Sequence, residues 1–289
     1  MQNKASTAIG VDIGGSHITA SRVNLQQREM VPGTLVRLKL DPHGSVAEII
    51  AVWSKAIKQA QGGAPPQKIG IAMPGPFDYA NGISLIQNQN KYDALYGLQV
   101  KQLLAQALEI SPDDICLQND AACFLQGEAF AGAAIGFRRS IGITLGTGLG
   151  SALYRHGHTE SLDLWNTPFN GTIAEDHLST RWFERRYAEL TGRPVRGVKE
   201  LAVLVEQEDA ARQVFDEFAG NLGLFLRSII QQEAPDALII GGNIAHAYAL
   251  FEQAVLLTKE KFPAVHIQRC ALGETAAMLG AASLWGALS

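Results

Sequence analysis

Apolar and small residues fill positions 7–12, stop at Gly14-Gly15, and resume in alternation at Ile18, Ala20 and Val23. This pattern reads as a strand, a glycine turn and a second strand. Between residues 45 and 61, Val46, Ile49, Ile50, Trp53 and Ile57 recur at the spacing of one buried helical face, and Gly62-Gly63 with Pro65-Pro66 closes the helix. Residues 68–73 read as a strand, 100–108 as a helix, 115–118 as a strand, and 121–130 as a helix that follows Asn119-Asp120 directly. Residues 138–145 and 151–154 then flank Gly146-Thr147-Gly148-Leu149-Gly150, so the opening hairpin recurs. The remainder reads as helices over 175–191, 198–206 and 210–232, a strand over 237–240, a helix after Gly242, a strand near Val265, and a last helix over 275–285. Two lobes are expected, a small one of residues 1–119 plus 275–289 and a large one of 120–274, with a cleft between them.

Composition narrows the classes. The chain has 289 residues, 47% hydrophobic, enough for a substantial core. Charged residues make up 18% and the net charge is −4, so no broad basic face for nucleic acid is expected. Residues 1–7 are polar with no leader pattern, which predicts a cytoplasmic protein. The most apolar long stretch, 237–257, is interrupted by Gly241-Gly242-Asn243, His246 and Glu252, so no membrane span and a soluble protein are expected. Cys116, Cys123 and Cys270 are odd in number and widely spaced, as suits reduced thiols. Neither His156 and His158 nor His17 has a partner at metal-ligand spacing. Phe251, Leu256, Phe262 and Trp285 serve equally as core or as the face of a homodimer.

Several residues could carry chemistry. A glycine turn between strands can aim several backbone N–H groups at one anion, and Gly14, Gly15 and Ser16 meet that need; so do Gly146, Thr147 and Gly148, with a hydroxyl in addition. Either turn alone could be a tight hairpin without a ligand. Asp12, just before the first turn, would repel a bound phosphate unless a cation such as Mg²⁺ lay between them, or else it bonds its own turn. Gly241 and Gly242 could let a flat adenine ring lie on backbone, or could simply make a close strand-to-helix turn. Asp120, at a strand end, could accept a proton from an alcohol attacking a γ-phosphoryl group, with Asn119 bonding the same molecule. It could equally cap the following helix. Asn88, Asn90, Asp78, Asp163 and Asn166 supply the amides and carboxylates that chelate sugar hydroxyls, although each also suits a loop. The Gly-Lys-Ser/Thr phosphate loop, the dinucleotide glycine motif and the Gly-x-Ser-x-Gly elbow are all absent from the sequence.

Taken in order, Asp12-Ile13-Gly14-Gly15-Ser16, Pro74-Gly75-Pro76-Phe77-Asp78, Asn119-Asp120-Ala121-Ala122, residues 145–150 and Gly241-Gly242 resemble the motifs of the ROK family of sugar kinases and repressors. The resemblance implies an α/β, two-lobed actin-like ATPase (ribonuclease H-like) fold, with mixed sheets flanked by helices and an active site in the interlobe cleft. It implies Asp120 as general base, Asn119, Asn90 and Gly75 at the sugar, and the two glycine turns with Gly241-Gly242 at ATP. Asp12 would act on Mg²⁺ indirectly, through ATP.

Two departures from the family pattern stand out. The family's Ala-Gly-Glu-x-Gly-His stretch has its nearest counterpart in Leu162-Asp163-Leu164-Trp165-Asn166, so Asp163 and Asn166 replace Glu and His. The cysteines of the family's structural zinc are missing, and 171–179 look like the segment that follows that zinc motif. A zinc-less hexose kinase is therefore expected, acting on the 6-hydroxyl of glucose, a related hexose or an N-acetylhexosamine. A sugar-sensing regulator or pseudokinase is the alternative, and a simple ATPase or chaperone a third.

Overall fold

The computed structural model describes residues 7–65 and 67–286. Most of the stretch read for a leader, residues 1–6, and Pro66 of the helix-closing pair lie outside the described residues. Contacts gather the chain into two units, Met1–Ile135 with Glu274–Ser289, and Gly136–Gly273.

The first unit contains strands β1 (Thr7–Ile13), β2 (His17–Asn24), β3 (Glu29–Met30), β4 (Val36–Lys39), β5 (Ile69–Met73), β6 (Phe77–Asp78), β7 (Ile83–Ser84) and β8 (Ile115–Asn119), and helices α1 (Val46–Gln61), α2 (Val100–Leu108) and α3 (Asp120–Ala131). Its main sheet runs β3-β2-β1-β5-β8, with β4 also paired to β2. The β1–β2 pair is antiparallel, whereas β5 and β8 run parallel to β1. Helix α1 starts where the periodicity predicts. The Ser45 hydroxyl accepts the Glu48 N–H, and the Glu48 carboxylate accepts the Ser45 N–H at 2.8 Å, a complete capping box.

The second unit contains β9 (Arg139–Leu145), β10 (Leu149–Arg155), β11 (His158–Ser161), β12 (Pro168–Phe169), β13 (Thr172–Ile173), β14 (Ala237–Gly241) and β15 (His266–Arg269), with helices α4 (Glu175–Leu178), α5 (Thr180–Thr191), α6 (Gly197–Leu204), α7 (Asp209–Glu233) and α8 (Glu252–Lys261). Its sheet runs β11-β10-β9-β14-β15, antiparallel through β11, β10 and β9 and parallel from β9 to β15. This is the strand order of the first unit again, so the recurring hairpin marks the start of a recurring sheet. The chain then returns to the first unit with α9 (Ala276–Ser283).

Three differences from the sequence reading have simple causes. The helix expected over 175–191 is two, because Ser179 takes an extended backbone between α4 and α5. The segment after Gly242 is 3₁₀ from Asn243 to Leu250, with a kink at Ala247, before α8 begins. The boundary expected after Asn119 falls inside the first unit, since α3 packs along α9 and an added Cβ on Gly127 would lie 2.0 Å from the Ala276 carbonyl oxygen. The three cysteines are free thiols, Phe251 is core at 1% exposure, and Leu256 is 41% exposed. Among the described residues no helix is long and apolar enough to cross a membrane.

The two faces of the first sheet are covered differently. Ile9, Val11, Ile13, Ile69 and Ile71 join Ile49, Trp53 and Ile57 of α1 and Leu104 of α2 in one core. The alternate positions Ala8, Gly10, Gly70 and Ala72 are small, and α9 comes down on them backbone first. A Cβ on Gly10 would lie 2.2 Å from the Met278 carbonyl oxygen, and one on Gly70 1.8 Å from that of Ala281. Because backbone cannot move aside as a side chain can, Gly70→Ala is expected to destabilise the protein by about 3 kcal/mol. Chemical denaturation of the two proteins measures the difference, and equal midpoints would show that α9 can lift from the sheet without cost.

Candidate active site

Parallel strands β1, β5 and β8 end side by side, with Asp12 opposite Ala72, Ala72 opposite Gln118, and Met73 opposite Asn119. The carboxyl ends of parallel strands are where an open α/β sheet leaves room for a ligand. Asp12 also pairs with Thr19, and Thr19 with Arg37, so Arg37, Thr19 and Asp12 form a row on the face that α9 covers. Arg37 is held at 2.9 Å by Glu274, next to the start of α9.

Asn119 and Asp120 divide the two roles that sequence alone leaves open. Asn119 is the N-cap of α3: its Oδ1 accepts the N–H groups of Ala121 and Ala122 at 3.0 and 3.2 Å. Its Nδ2 donates to Tyr79 Oη at 3.3 Å. Asp120 is therefore spared the capping role, although its Oδ1 takes the Ala121 N–H at 2.8 Å. Gly75 lies against the same group, where an added Cβ would meet Tyr79 Oη at 3.2 Å and Asn119 Nδ2 at 3.9 Å.

The electrostatics are those of two neighbouring carboxylates. Asp120 is exposed as a residue, yet enough protein surrounds its carboxyl that desolvation raises its pKa, with Lys91 pulling the other way. Asp12 is raised from 3.8 to about 7, first by burial and then by the charge of Asp120, with Arg37 lowering it and Glu274 adding to the rise. Two such groups favour a cation between them and a ligand.

The first glycine turn joins β1 to β2, with the Gly14 N–H donating to the His17 carbonyl at 2.9 Å. Gly15 and Ser16 are exposed, and the Ser16 hydroxyl bonds His17 Nδ1 at 2.9 Å. Asn90 is exposed with a left-handed φ of 57°, on a loop that also holds Asn88 at 58°. Asp78, by contrast, closes its own turn through Asn81 at 3.0 and 2.8 Å, and those bonds lower its pKa.

In the second unit, Gly146, Thr147 and Gly148 connect β9 to β10. The Gly146 N–H donates to the Gly148 carbonyl at 3.0 Å, and Thr147 is exposed. Gly241 pairs with Thr144, which brings the Gly241-Gly242 step beside this turn. Gly242 needs to be glycine twice over: its φ is +85°, and a Cβ would fall 2.4 Å from the Leu145 carbonyl oxygen. Asp163 and Asn166 are exposed on the loop after β11, where Asp163 Oδ1 accepts Trp165 Nε1–H at 3.4 Å. The candidate residues thus fall into two sets: Asp12, Gly14–Ser16, Gly75, Asp78, Asn88, Asn90, Asn119 and Asp120 in the first unit, and the remainder in the second.

Three residues that touch these sets are not singled out by the sequence. Glu175 Oε2 accepts the Leu149 N–H at 3.0 Å, and its Oε1 pairs with Arg181 at 2.6 Å, which puts a carboxylate against the second turn. Tyr79 bonds the Met73 carbonyl at 3.1 Å as well as Asn119. Tyr92, wholly buried, donates its hydroxyl to the Gly14 carbonyl. Nothing local in the sequence flags these roles, since Glu175 and Arg181 lie on different helices and both tyrosines act across loops.

The sequence profile of the ROK family matches residues 8–161 and 168–287. The chain belongs to the ROK family. The unmatched residues 162–167 are those that depart from the family's sugar-contacting stretch. Among relatives of this ROK protein, an N-acetyl-D-glucosamine kinase of Photobacterium profundum is 24% identical, over 84% of this chain and 86% of that one. A ROK hexokinase of Thermus thermophilus matches with a TM-score of 0.78 at 23% identity, covering 96% of each chain. A ROK glucokinase of Streptomyces griseus, solved with glucose and AMPPNP, matches at 0.76 and 23% identity, over 96% of this chain and 98% of that one. The fold of this ROK protein is accordingly the actin-like one that the motif order implies.

The raised pKa of Asp12 has a consequence for stability. A carboxyl with a folded pKa above its unfolded value binds its proton more tightly in the native state. Its contribution is complete below 3.8 and is lost as pH rises through about 7. Asp12→Asn should remove that loss, so the stability advantage of the variant should widen from about pH 4 to about pH 7 and level off above it. Urea denaturation across that range measures it, and parallel curves would mean that Asp12 titrates as an ordinary carboxyl.

Proposed function

We propose that this ROK protein is an ATP-dependent kinase that phosphorylates a hydroxyl of a hexose or an N-acetylhexosamine, the 6-hydroxyl being the expected acceptor. The observation that carries the reading is that Asn119 caps α3 and thereby leaves Asp120 for a substrate. A carboxylate at the carboxyl end of β8, close enough to Asp12 to act on its charge and with a raised pKa, suits proton abstraction from an alcohol. Kinase names among the relatives support the same chemistry.

The sugar hydroxyl would lose its proton to Asp120 as its oxygen attacks the γ-phosphorus of ATP. The bond from that phosphorus to the bridging oxygen breaks, and ADP leaves. Asn119 offers an amide N–H to the sugar while its oxygen stays on the helix cap. Asn90, Gly75, Asp163 and Asn166 would be further sugar ligands. Gly14, Gly15 and Ser16, with Gly146, Thr147 and Gly148, would hold the phosphates, and Gly241-Gly242 the adenosine.

The site fits Mg²⁺ held jointly with the nucleotide. Among the described residues no cluster of three or more His, Cys, Asp or Glu could hold a metal ion. One carboxylate, Asp12, together with phosphate oxygens suits Mg²⁺, which retains water and binds few protein groups. The ion would neutralise charge on the phosphates, and Asp12 would be deprotonated by its presence.

A coupled ADP assay over glucose, mannose, N-acetylglucosamine and N-acetylmannosamine tests the reading. The wild type should release ADP with at least one of them, and Asp120→Asn should lose about 10²- to 10⁴-fold in kcat. Equal turnover by both proteins would remove Asp120 from the chemistry. Tight sugar binding by calorimetry without turnover would instead mark a sugar sensor.

A further inference from the structure

Tyr92 carries more constraint than its sequence context suggests. It is wholly buried, yet its backbone φ is 58°, a left-handed value that is costly for an aromatic residue. Its N–H donates to the Pro42 carbonyl at 2.7 Å, and its ring meets Trp53 edge-on at 5.5 Å. These contacts deliver the hydroxyl to the Gly14 carbonyl, 78 residues away in sequence.

In a trans peptide the C=O and the following N–H point in opposite directions. A Gly14 carbonyl drawn inward by Tyr92 therefore turns the Gly15 N–H outward. Gly15 is exposed, and the space where a Cβ would stand is empty for 4 Å. The second turn has the same arrangement with different residues. The Gly146 carbonyl accepts both the N–H and the hydroxyl of Thr180, at 2.8 and 3.0 Å, which turns the Thr147 N–H outward. In both units the carbonyl of the turn's first glycine is held by a residue from outside the hairpin.

We propose that Tyr92 is a positioning residue for phosphate binding, its hydroxyl fixing the Gly14–Gly15 peptide so that the Gly15 N–H donates to a phosphate oxygen of the nucleotide. This rests on the kinase reading for the identity of the ligand. Asn90, two residues earlier, lies on the same short loop, but the assignment does not need it.

Tyr92→Phe keeps the ring against Trp53 and removes only the hydroxyl. Calorimetric titration with AMPPNP should show affinity reduced by about 3- to 10-fold, the range expected for one lost hydrogen bond. Adenosine, which has no phosphate, should bind equally to both proteins. No change with AMPPNP, or an equal loss with both ligands, overturns the assignment. If the variant does not fold, the wild type labelled with ¹⁵N-glycine decides: the Gly15 amide, assigned from its absence in Gly15→Ala, should move downfield with AMPPNP. A Gly15 signal that stays still also overturns it. A wild type that binds AMPPNP but releases no ADP with any sugar would sink the kinase reading and leave the Tyr92 result intact.

Discussion

Helix α9 meets the first sheet and α3 through backbone rather than side chains, and the placement of the candidate catalytic residues follows from that contact. Gly10, Gly70 and Gly127 bring carbonyls of Met278, Ala281 and Ala276 to where their own Cβ atoms would otherwise be, and Gly280 does the same with the carbonyl of Cys123. A helix this close to a sheet leaves no space for α3 to slide or roll. The first turn of α3 is thus set against the ends of β1, β5 and β8, and Asn119 and Asp120 with it. Side chains packed at ordinary distances could adjust by small rotations, whereas stacked backbones cannot.

Much of this organisation can be read from the chain, and the reason is local. A glycine turn between apolar strands is written in a few consecutive residues, so both hairpins and their recurrence are visible before any fold is known. The recurrence predicts one glycine hairpin in each lobe; that the sheets around the two hairpins also share a strand order emerges only in the fold. The edge strands β3 and β4 escape notice because they are short and carry mixed residues, Glu29-Met30 and Val36–Lys39. Their pairing is decided by β2, not by their own pattern.

The site is less legible, because its decisive facts are choices between equivalent neighbours or contacts across long separations. Asn119 and Asp120 are both good capping residues, and only the geometry of α3 assigns the cap to Asn119. Thr180 looks like an ordinary helix-starting threonine, and its bond to the Gly146 carbonyl exists only once α5 has folded back on the turn. Arg37 and Glu274 are 237 residues apart and look like solvated charges in sequence. The raised pKa of Asp12 depends on burial together with the charges of Asp120, Arg37 and Glu274, none of which is its neighbour in the chain.

The two carboxylates also couple the protonation of the site to any cation that binds there. With Asp12 shifted to about 7 by burial and by Asp120, a protonated Asp12 is well populated at neutral pH when no cation is bound. Protonation relieves the repulsion but removes the charge that would attract a divalent ion. On the kinase reading, Mg²⁺ arriving with the nucleotide would favour ionised Asp12. The desolvation of Asp120 makes its carboxylate a stronger base towards an alcohol than an exposed aspartate would be. Arg37, tied to Glu274, lowers the pKa of Asp12 only in part, which leaves the completion of the site to the ligand.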